Sequence, residues 1–547
     1  MEAETMAPEG KPGPEIVFGL VGSVGTDLDF VSLCLSAALA DLNYQSLTVR
    51  LSELMHEIEL DRWKNLAESP AYERYMEHMT AGNEVRDFLS RGDALAMLAV
   101  GAIREAREDR NGKPDLPLAR HAYILKSLKH PGEVKALRNI YGPSFHLVAA
   151  YCPREVRKRN LAQKLAASEH SFQSTQYFEK VEALMKRDES ERETNEFGQN
   201  VRDTFPLADV FVDSSNPDGA TASVRRLVDL LFGTATQTPT KDEYSMFHAQ
   251  AASLRSAALG RQVGATIATT GGDIIAIGTN EVPKAGGGLY WCDDDPDMRD
   301  FRLGYEVSDK LKRRVLGDVI SRLRTKGWLA EDKKESSVDE LVEQAFAEHT
   351  SSVMKGSHLA NSIEYFRAVH AEMAAIVDAA RRGVSVKDSV LFCTTFPCHD
   401  CAKHIVAAGI QRVVYIEPYP KSLAPELYLD SIAVDQRKPK NLVGGADVVG
   451  YVSFESFVGI APRQYMDFFV MGERKNREGD VVASDKSTVV PRFAKELPPE
   501  LAVLVRENQE FNLFKDQMNE KIKKAAIPTK NPQPGVVQMK SEVQGGA

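Results

Sequence analysis

Four residues in one short stretch carry side chains that could do chemistry together. His370 and Glu372 stand two apart, and Cys398 and Cys401 follow in Pro397-Cys398-His399-Asp400-Cys401. An imidazole, a carboxylate and two thiols, in that order, are what a hydrolytic zinc site requires. Zinc at such sites takes three protein ligands and keeps a fourth position for water. Two cysteines three apart share one face of a helix, and Pro397 suits that helix's first turn. The helix N-terminus and a metal both favour the thiolate form. His370 and Glu372 would diverge on a regular helix, but at a helix start one can ligate while the other faces water. Taken singly, the C-x-x-C would equally suit a structural zinc half-site or a redox pair, and an H-x-E carries no meaning. His399, Asp400 and His404 read as packing or helix-surface residues.

The elements that must position these groups belong to a long, ordinary-looking chain. At 547 residues it exceeds what one core supports, so two or three domains are expected. No apolar run is long enough to cross a bilayer. Residues 1–14 read as a flexible leader without the basic start and apolar stretch of a signal peptide, which points to the cytoplasm. Six scattered cysteines argue against a disulfide framework and for a reducing compartment. Cys34, Cys152 and Cys393 read as core; Cys292 reads as a plain reduced cysteine, with a second metal site as the alternative. The net charge of −10 gives no support for bulk binding of a polyanion.

Residues 15–235 alternate strand and helix. Ile16-Val17-Phe18-Gly19-Leu20-Val21 is strand-like, Gly22-Ser23-Val24-Gly25-Thr26 is a Gly-rich loop, and Leu28 to Ala40 is helical. Strand, Gly-rich loop and helix are the parts of a phosphate-binding loop, so Gly19, Gly22, Ser23, Gly25 and Thr26 are candidate nucleotide contacts. No frame of the motif supplies its lysine, and a Gly-rich turn packing a helix on a sheet is the other reading. Further strands are expected at 121–126, 145–151 and 208–213, with helices at 87–107, 133–140, 153–167 and 221–231. This alternation predicts a doubly wound parallel sheet.

A polar linker at 232–241 precedes the second unit, 236–470. A helix over Met246 to Leu259 leads into a hairpin, 262–268 and 274–278, turned by Gly271-Gly272-Asp273. Residues 286–365 read as an insertion with helices at 309–324 and 338–347. Beyond it come the His370 helix, a strand at 389–395, the Cys398 helix and a strand at 412–416. Residues 471–547 form a charged extension with one helix, 499–525, and a disordered tail.

H-x-E joined to P-C-x-x-C is the signature of zinc-dependent nucleobase deaminases. Over residues 245–425 the chain resembles the deoxycytidylate deaminase family. The resemblance rests on Gln262-Val263-Gly264-Ala265, Gly278-Thr279-Asn280-Glu281-Val282-Pro283, Arg367-Ala368-Val369-His370-Ala371-Glu372, and the run from Pro397 to Ile410. It implies a three-layer α/β/α cytidine-deaminase-like domain in which His370, Cys398 and Cys401 hold Zn²⁺. Glu372 would move a proton from water to the ring nitrogen and then to departing ammonia. Asn280 would hydrogen-bond the substrate, although Thr279 replaces the aromatic of the family's G-Y-N-G.

Residues 15–235, and Lys126-Ser127-Leu128-Lys129-His130-Pro131-Gly132-Glu133-Val134 within them, resemble P-loop nucleoside and nucleotide kinases, with the phosphoryl-transfer lysine missing. A degenerate kinase-like domain ahead of a deaminase with a long insertion is similar to the bacterial anti-phage dCTP deaminases. That resemblance implies hydrolysis of dCTP and dCMP to dUTP and dUMP, depleting cytosine deoxynucleotides during infection. It also implies a homo-oligomer and a regulatory nucleotide or small RNA at the N-terminal domain. Pro418-Tyr419-Pro420-Lys421-Ser422 fits that group and makes Lys421 a candidate phosphate contact. Two other readings are a deaminase of bases in polynucleotide, which the acidic charge does not favour, and a nucleotide- or RNA-responsive regulatory protein, which the intact set of four argues against.

Overall fold

Short apolar runs alternating with amphipathic helices build the first of two six-stranded sheets. The computed structural model describes residues 13–191, 195–233, 237–347, 352–363, 365–435, 450–470, 474–481, 489–495 and 500–526. The strands β1 (Ile16–Val21), β2 (Gln45–Arg50), β3 (His121–Lys126), β4 (Phe145–Tyr151) and β5 (Val210–Asp213) are all parallel, in the order β2-β3-β1-β4-β5. Successive side chains of β1 enter opposite cores. Ile16, Phe18 and Leu20 pack with α1 (Leu28–Ala40) and the helix Pro217–Leu231, while Val17 and Val21 face α2 (Ala71–Leu89) and α3 (Ala94–Asn111). Helices therefore cover both faces, as an all-parallel sheet needs.

Two expectations change here. The stretch 87–107, expected as one helix, is the end of α2 and most of α3. Ser90 closes α2 in the left-handed region at φ 55°. Gly92 then lies against His130, where a Cβ would meet the ring at 2.3 Å. The edge strand β2, whose only apolar residues are Leu47 and Val49, was not expected; it pairs with β3 from Gln45 to Arg50.

The second sheet joins β6 (Gly264–Ala268), β7 (Ile274–Thr279), β8 (Val390–Thr395), β9 (Arg412–Glu417), β10 (Ile432–Val434) and β11 (Val452–Ser456) in the order β7-β6-β8-β9-β11-β10. The β6–β7 hairpin and β6–β8 are antiparallel, and the remaining pairs are parallel. The helix expected over 246–259 is instead α4 (Lys241–Ser253). A capping box starts it early: Thr240 Oγ1 accepts from Glu243 N (3.2 Å) and Glu243 Oε2 from Thr240 N (2.7 Å). The helix ends at Ser253, and residues 254–263 form a loop. Helices α5 (Ala371–Arg381) and α6 (His399–Ala407) cover one face of this sheet.

The opposite face, under α4, continues into the first unit: Phe392, Val414 and Phe457 share a core with Phe211 and Val85. Gly459–Ile460 (β12) adds an antiparallel edge to β5. The helix α7 (Glu500–Ala526) returns to pack on α2 and α3. There buried Glu507 receives Arg107 Nη1 at 2.6 Å, and Glu15 receives Arg107 Nη2 at 2.8 Å. The insertion folds as helices Val307–Thr325 and Val338–Phe346. Residues 1–12 of the expected leader and the tail from 527 lie outside the described residues. No described helix is long and apolar enough to cross a membrane.

Candidate active site

His370 and Cys398 are the N-caps of α5 and α6, and this shared placement brings the four groups together. His370 keeps an extended backbone (ψ 152°) just before α5, so Glu372, two residues on, falls in the helix's first turn. An antiparallel bridge holds that entry: Glu281 N donates to Val369 O (3.2 Å) and Val369 N to Glu281 O (3.0 Å). Close packing fixes the helix depth, since a Cβ on Gly278 would meet Ala371 O at 2.1 Å and Ala375 N at 2.5 Å. At α6, Cys398 Sγ accepts from Cys401 N at 3.4 Å, so both thiols sit at a helix N-terminus.

His370 Nδ1 lies 3.3 Å from Cys398 Sγ and 3.5 Å from Cys401 Sγ, and all three donor atoms fall within 4.8 Å of one another. One imidazole and two thiols at that spacing fit a zinc ion with one position left open. The three donors perturb one another's ionisation. The hydrogen bond from Cys401 holds Cys398 down to about 4 and raises Cys401 itself. Burial works against a charged His370, but the Cys398 thiolate prevails and lifts it to about 9. Glu372 is buried, and burial pushes its carboxyl up to about 7.

His370, Glu372 and Cys398 line a cavity of about 370 Å³, with Phe366, Phe396 and Tyr419 supplying aromatic walls. Asn280 also lines it, with its amide engaged on the backbone: Oδ1 accepts from Val263 N and Nδ2 donates to Arg261 O, both at 2.7 Å. Lys421 is outside the lining and donates to Asn361 Oδ1 at 2.6 Å. The cation that does line the cavity is Arg261, on the loop freed by the early end of α4. Sequence reasoning passed over it, although it directly precedes the quoted Gln262-Val263-Gly264-Ala265. Asp300, Glu306 and Asp309, from the insertion, bring carboxylates to the same cavity. Cys292 is exposed and joins no metal-ligand cluster among the described residues.

The Gly-rich loop is far in sequence but forms its own cavity, about 260 Å³, lined by Gly22, Ser23, Gly25 and Thr26 with Arg50 and Lys126. Gly19 lies behind it in β1, where a Cβ would meet Leu128 at 2.7 Å. Asp188 Oδ2 accepts from Val24 N at 2.7 Å, so an internal carboxylate takes one of the loop's amides. A lysine reaches the loop from elsewhere in the chain: Lys129 Nζ donates to Gly22 O (3.0 Å) and Asp188 Oδ1 (2.7 Å).

Residues 239–417 match the cytidine and deoxycytidylate deaminase zinc-binding region. The deoxycytidylate deaminase of enterobacteria phage T2 is 46% identical over 54 residues, 10% of this chain and 29% of that protein. ComE operon protein 2 of Bacillus subtilis is 32% identical over 96 residues, 15% of this chain and 51% of that protein. A probable deoxycytidylate deaminase of Drosophila melanogaster is 34% identical over 94 residues, 16% of this chain and 45% of that protein. The chain thus spans 29–51% of the length of these relatives. Among solved structures, the apo dCMP deaminase of cyanophage S-TIM5 aligns over 40% of this chain and all of its own, at 19% identity and a TM-score of 0.20.

Proposed function

We propose that this protein hydrolytically deaminates deoxycytidine nucleotides, dCMP and dCTP, to dUMP and dUTP, with zinc held by His370, Cys398 and Cys401. The observation that carries this reading is the buried Glu372 carboxyl, which lines one cavity with His370 and Cys398, while Cys401 completes a set of three donor atoms within 4.8 Å of one another. Zinc bound there supplies the Lewis acidity that makes water nucleophilic near neutral pH. The aromatic walls sandwich the cytosine and exclude bulk water. Glu372 takes a proton from the water that attacks C4 and delivers it to N3. As the C4–N bond breaks, Glu372 passes a proton to the exocyclic nitrogen, which leaves as ammonia while C4 becomes a carbonyl. One carboxylate that both accepts and returns a proton needs a pKa near the working pH, and burial provides it. Arg261 is the phosphate contact this geometry favours, with Asn280 ordering the loop that carries it.

Depletion of cytosine deoxynucleotides during phage infection is the biological role that the two-unit architecture supports. The cavity at Gly22–Thr26, with Arg50, Lys126 and Lys129 around it, has the chemistry to hold a regulatory nucleotide or an RNA phosphate. Assembly as a homo-oligomer is part of the same reading. A polynucleotide substrate is less well supported, because the net charge of −10 does not favour a polyanion.

The test is ammonia release from dCMP, dCTP, CTP and a cytosine-containing oligonucleotide, with and without added nucleoside triphosphates. Release from the deoxycytidine nucleotides is expected, falling by about 10²–10⁴ in Glu372→Ala, which also loses protection of expressing cells from phage. Activity confined to the oligonucleotide, or none on either deoxynucleotide, refutes the reading.

A further inference from the structure

A second cluster of metal-ligating side chains lies far from the cysteines, at the entrance to the first unit's helices. His56 sits in a short 3₁₀ turn after β2, Glu68 in the loop before α2, and His78 within α2. His56 Nε2 and His78 Nε2 are 3.4 Å apart, and Glu68 Oε1 lies 3.6 Å from the first and 3.5 Å from the second.

The proton inventory of this triangle is the decisive point. His56 Nδ1 is 3.2 Å from Lys64 O, and His78 Nδ1 is 2.8 Å from Arg74 O. A backbone carbonyl only accepts, so each Nδ1 must carry the ring's hydrogen. In the neutral imidazoles both Nε2 atoms are then bare lone pairs, and they converge on each other and on a carboxylate oxygen. Three acceptors face one point with no donor among them. An imidazole whose far nitrogen is fixed by a backbone carbonyl is the usual posture of a metal ligand. The carboxylate is oriented in the same way: Arg74 Nε holds Glu68 Oε2 at 2.8 Å, leaving Oε1 turned to the histidines. Glu77 accepts from Ala67 N at 2.6 Å and pins the loop that carries Glu68.

Ligands about 2.1 Å from one ion at tetrahedral angles lie about 3.4 Å from each other, whereas adjacent octahedral ligands lie about 3.0 Å apart. The observed edges of 3.4, 3.5 and 3.6 Å match the tetrahedron. We propose that His56, Glu68 and His78 form a second metal site, of N,N,O type, that takes a first-row divalent ion, zinc foremost, with a fourth position open. His78 and Arg74 also line the cavity of Gly22–Thr26, so the ion places further positive charge at the wall of that basic chamber. The proposal is independent of the deaminase reading.

The experiment is metal content per chain, by mass spectrometry, of the full-length protein dialysed against micromolar zinc at pH 7.5. Two zinc ions per wild-type chain are expected, and one in each of His56→Ala, Glu68→Gln and His78→Ala. His56 and Glu68 are partly exposed, so their variants remain informative if His78→Ala does not fold. Cobalt substitution separates the two sites. The thiolate-to-cobalt charge-transfer band reports Cys398 and Cys401 and should keep its intensity in His56→Ala, while the cobalt count falls by one. A zinc content that neither His56→Ala nor Glu68→Gln lowers overturns the proposal.

Discussion

Some single residues in this chain do work that their type alone does not disclose. His146 is the clearest. It is buried in β4, its ring near Phe18, Phe468 and Phe493, and neither nitrogen has a hydrogen-bond partner among the described residues. Burial, with the charge of Arg138 adding to it, pushes its pKa from 6.5 down to about 3. The unfolded chain therefore takes up a proton as pH falls below 6.5 while the folded chain does not until about 3. Between those limits, stability is lost as pH falls, by about 1.4 kcal/mol per unit. His146→Phe removes both the titration and the orphaned nitrogens. The variant is expected to be more stable than wild type at pH 5 by about 1–2 kcal/mol, with a flatter pH dependence, read by urea titrations at pH 5 and 7.5. An unchanged slope would show that the ring is not the titrating group.

Between residue and molecule, the elements set the accuracy of the site. His370 and Glu372 ride on α5, whose depth against β7 is set by the absence of a side chain at Gly278. Gly264 does the same for α4 on β6, where a Cβ would meet Ala249 O at 1.8 Å. In Gly278→Ala the added carbon clashes with backbone, not with a movable side chain, so α5 must shift. A displacement near 1 Å at catalytic groups costs about 10²-fold in rate, and overpacking of this kind costs about 1–3 kcal/mol. The expected outcome is a folded protein that keeps its zinc yet loses kcat by that order, with Gly278→Ala assayed for metal and turnover together. Full activity in that variant would mean that α5 can slide without moving Glu372.

At the scale of the whole molecule, the two sheets are not independent bodies. Phe211 of the first sheet and Phe457, Val414 and Phe392 of the second belong to one buried cluster, β12 closes the edge of β5, and α7 ties the chain's end to α2 and α3. A third cavity, about 690 Å³, lies between Ser23, Thr26 and Arg157 on one side and Phe396, Tyr415 and Tyr419 on the other. Phe396 and Tyr419 line the candidate-site cavity as well. A shared core should unfold cooperatively. Calorimetry of the zinc-loaded protein is expected to show one main transition, its calorimetric and van't Hoff enthalpies in agreement. Two well-separated transitions would contradict it.

The sequence by itself determined which four groups could do chemistry together and the local frames that carry them. Spacing and helix-start signals suffice for His370, Glu372, Cys398 and Cys401, because those residues are placed by turns only a few residues long. The apolar runs of β1, β3 and β4 were legible for the same reason: strands buried on both faces show as continuous hydrophobic stretches. Only the tertiary structure decided what depends on residues remote in sequence. The edge strand β2 shows in its pairing with β3, and Asp188 and Lys129 reach the Gly-rich loop from more than a hundred residues away. Arg261 reaches the candidate-site cavity because α4 ends at Ser253 and leaves a loop before β6. His56, Glu68 and His78 stand at no motif spacing, and their nitrogens and oxygen meet only when a turn, a loop and a helix pack.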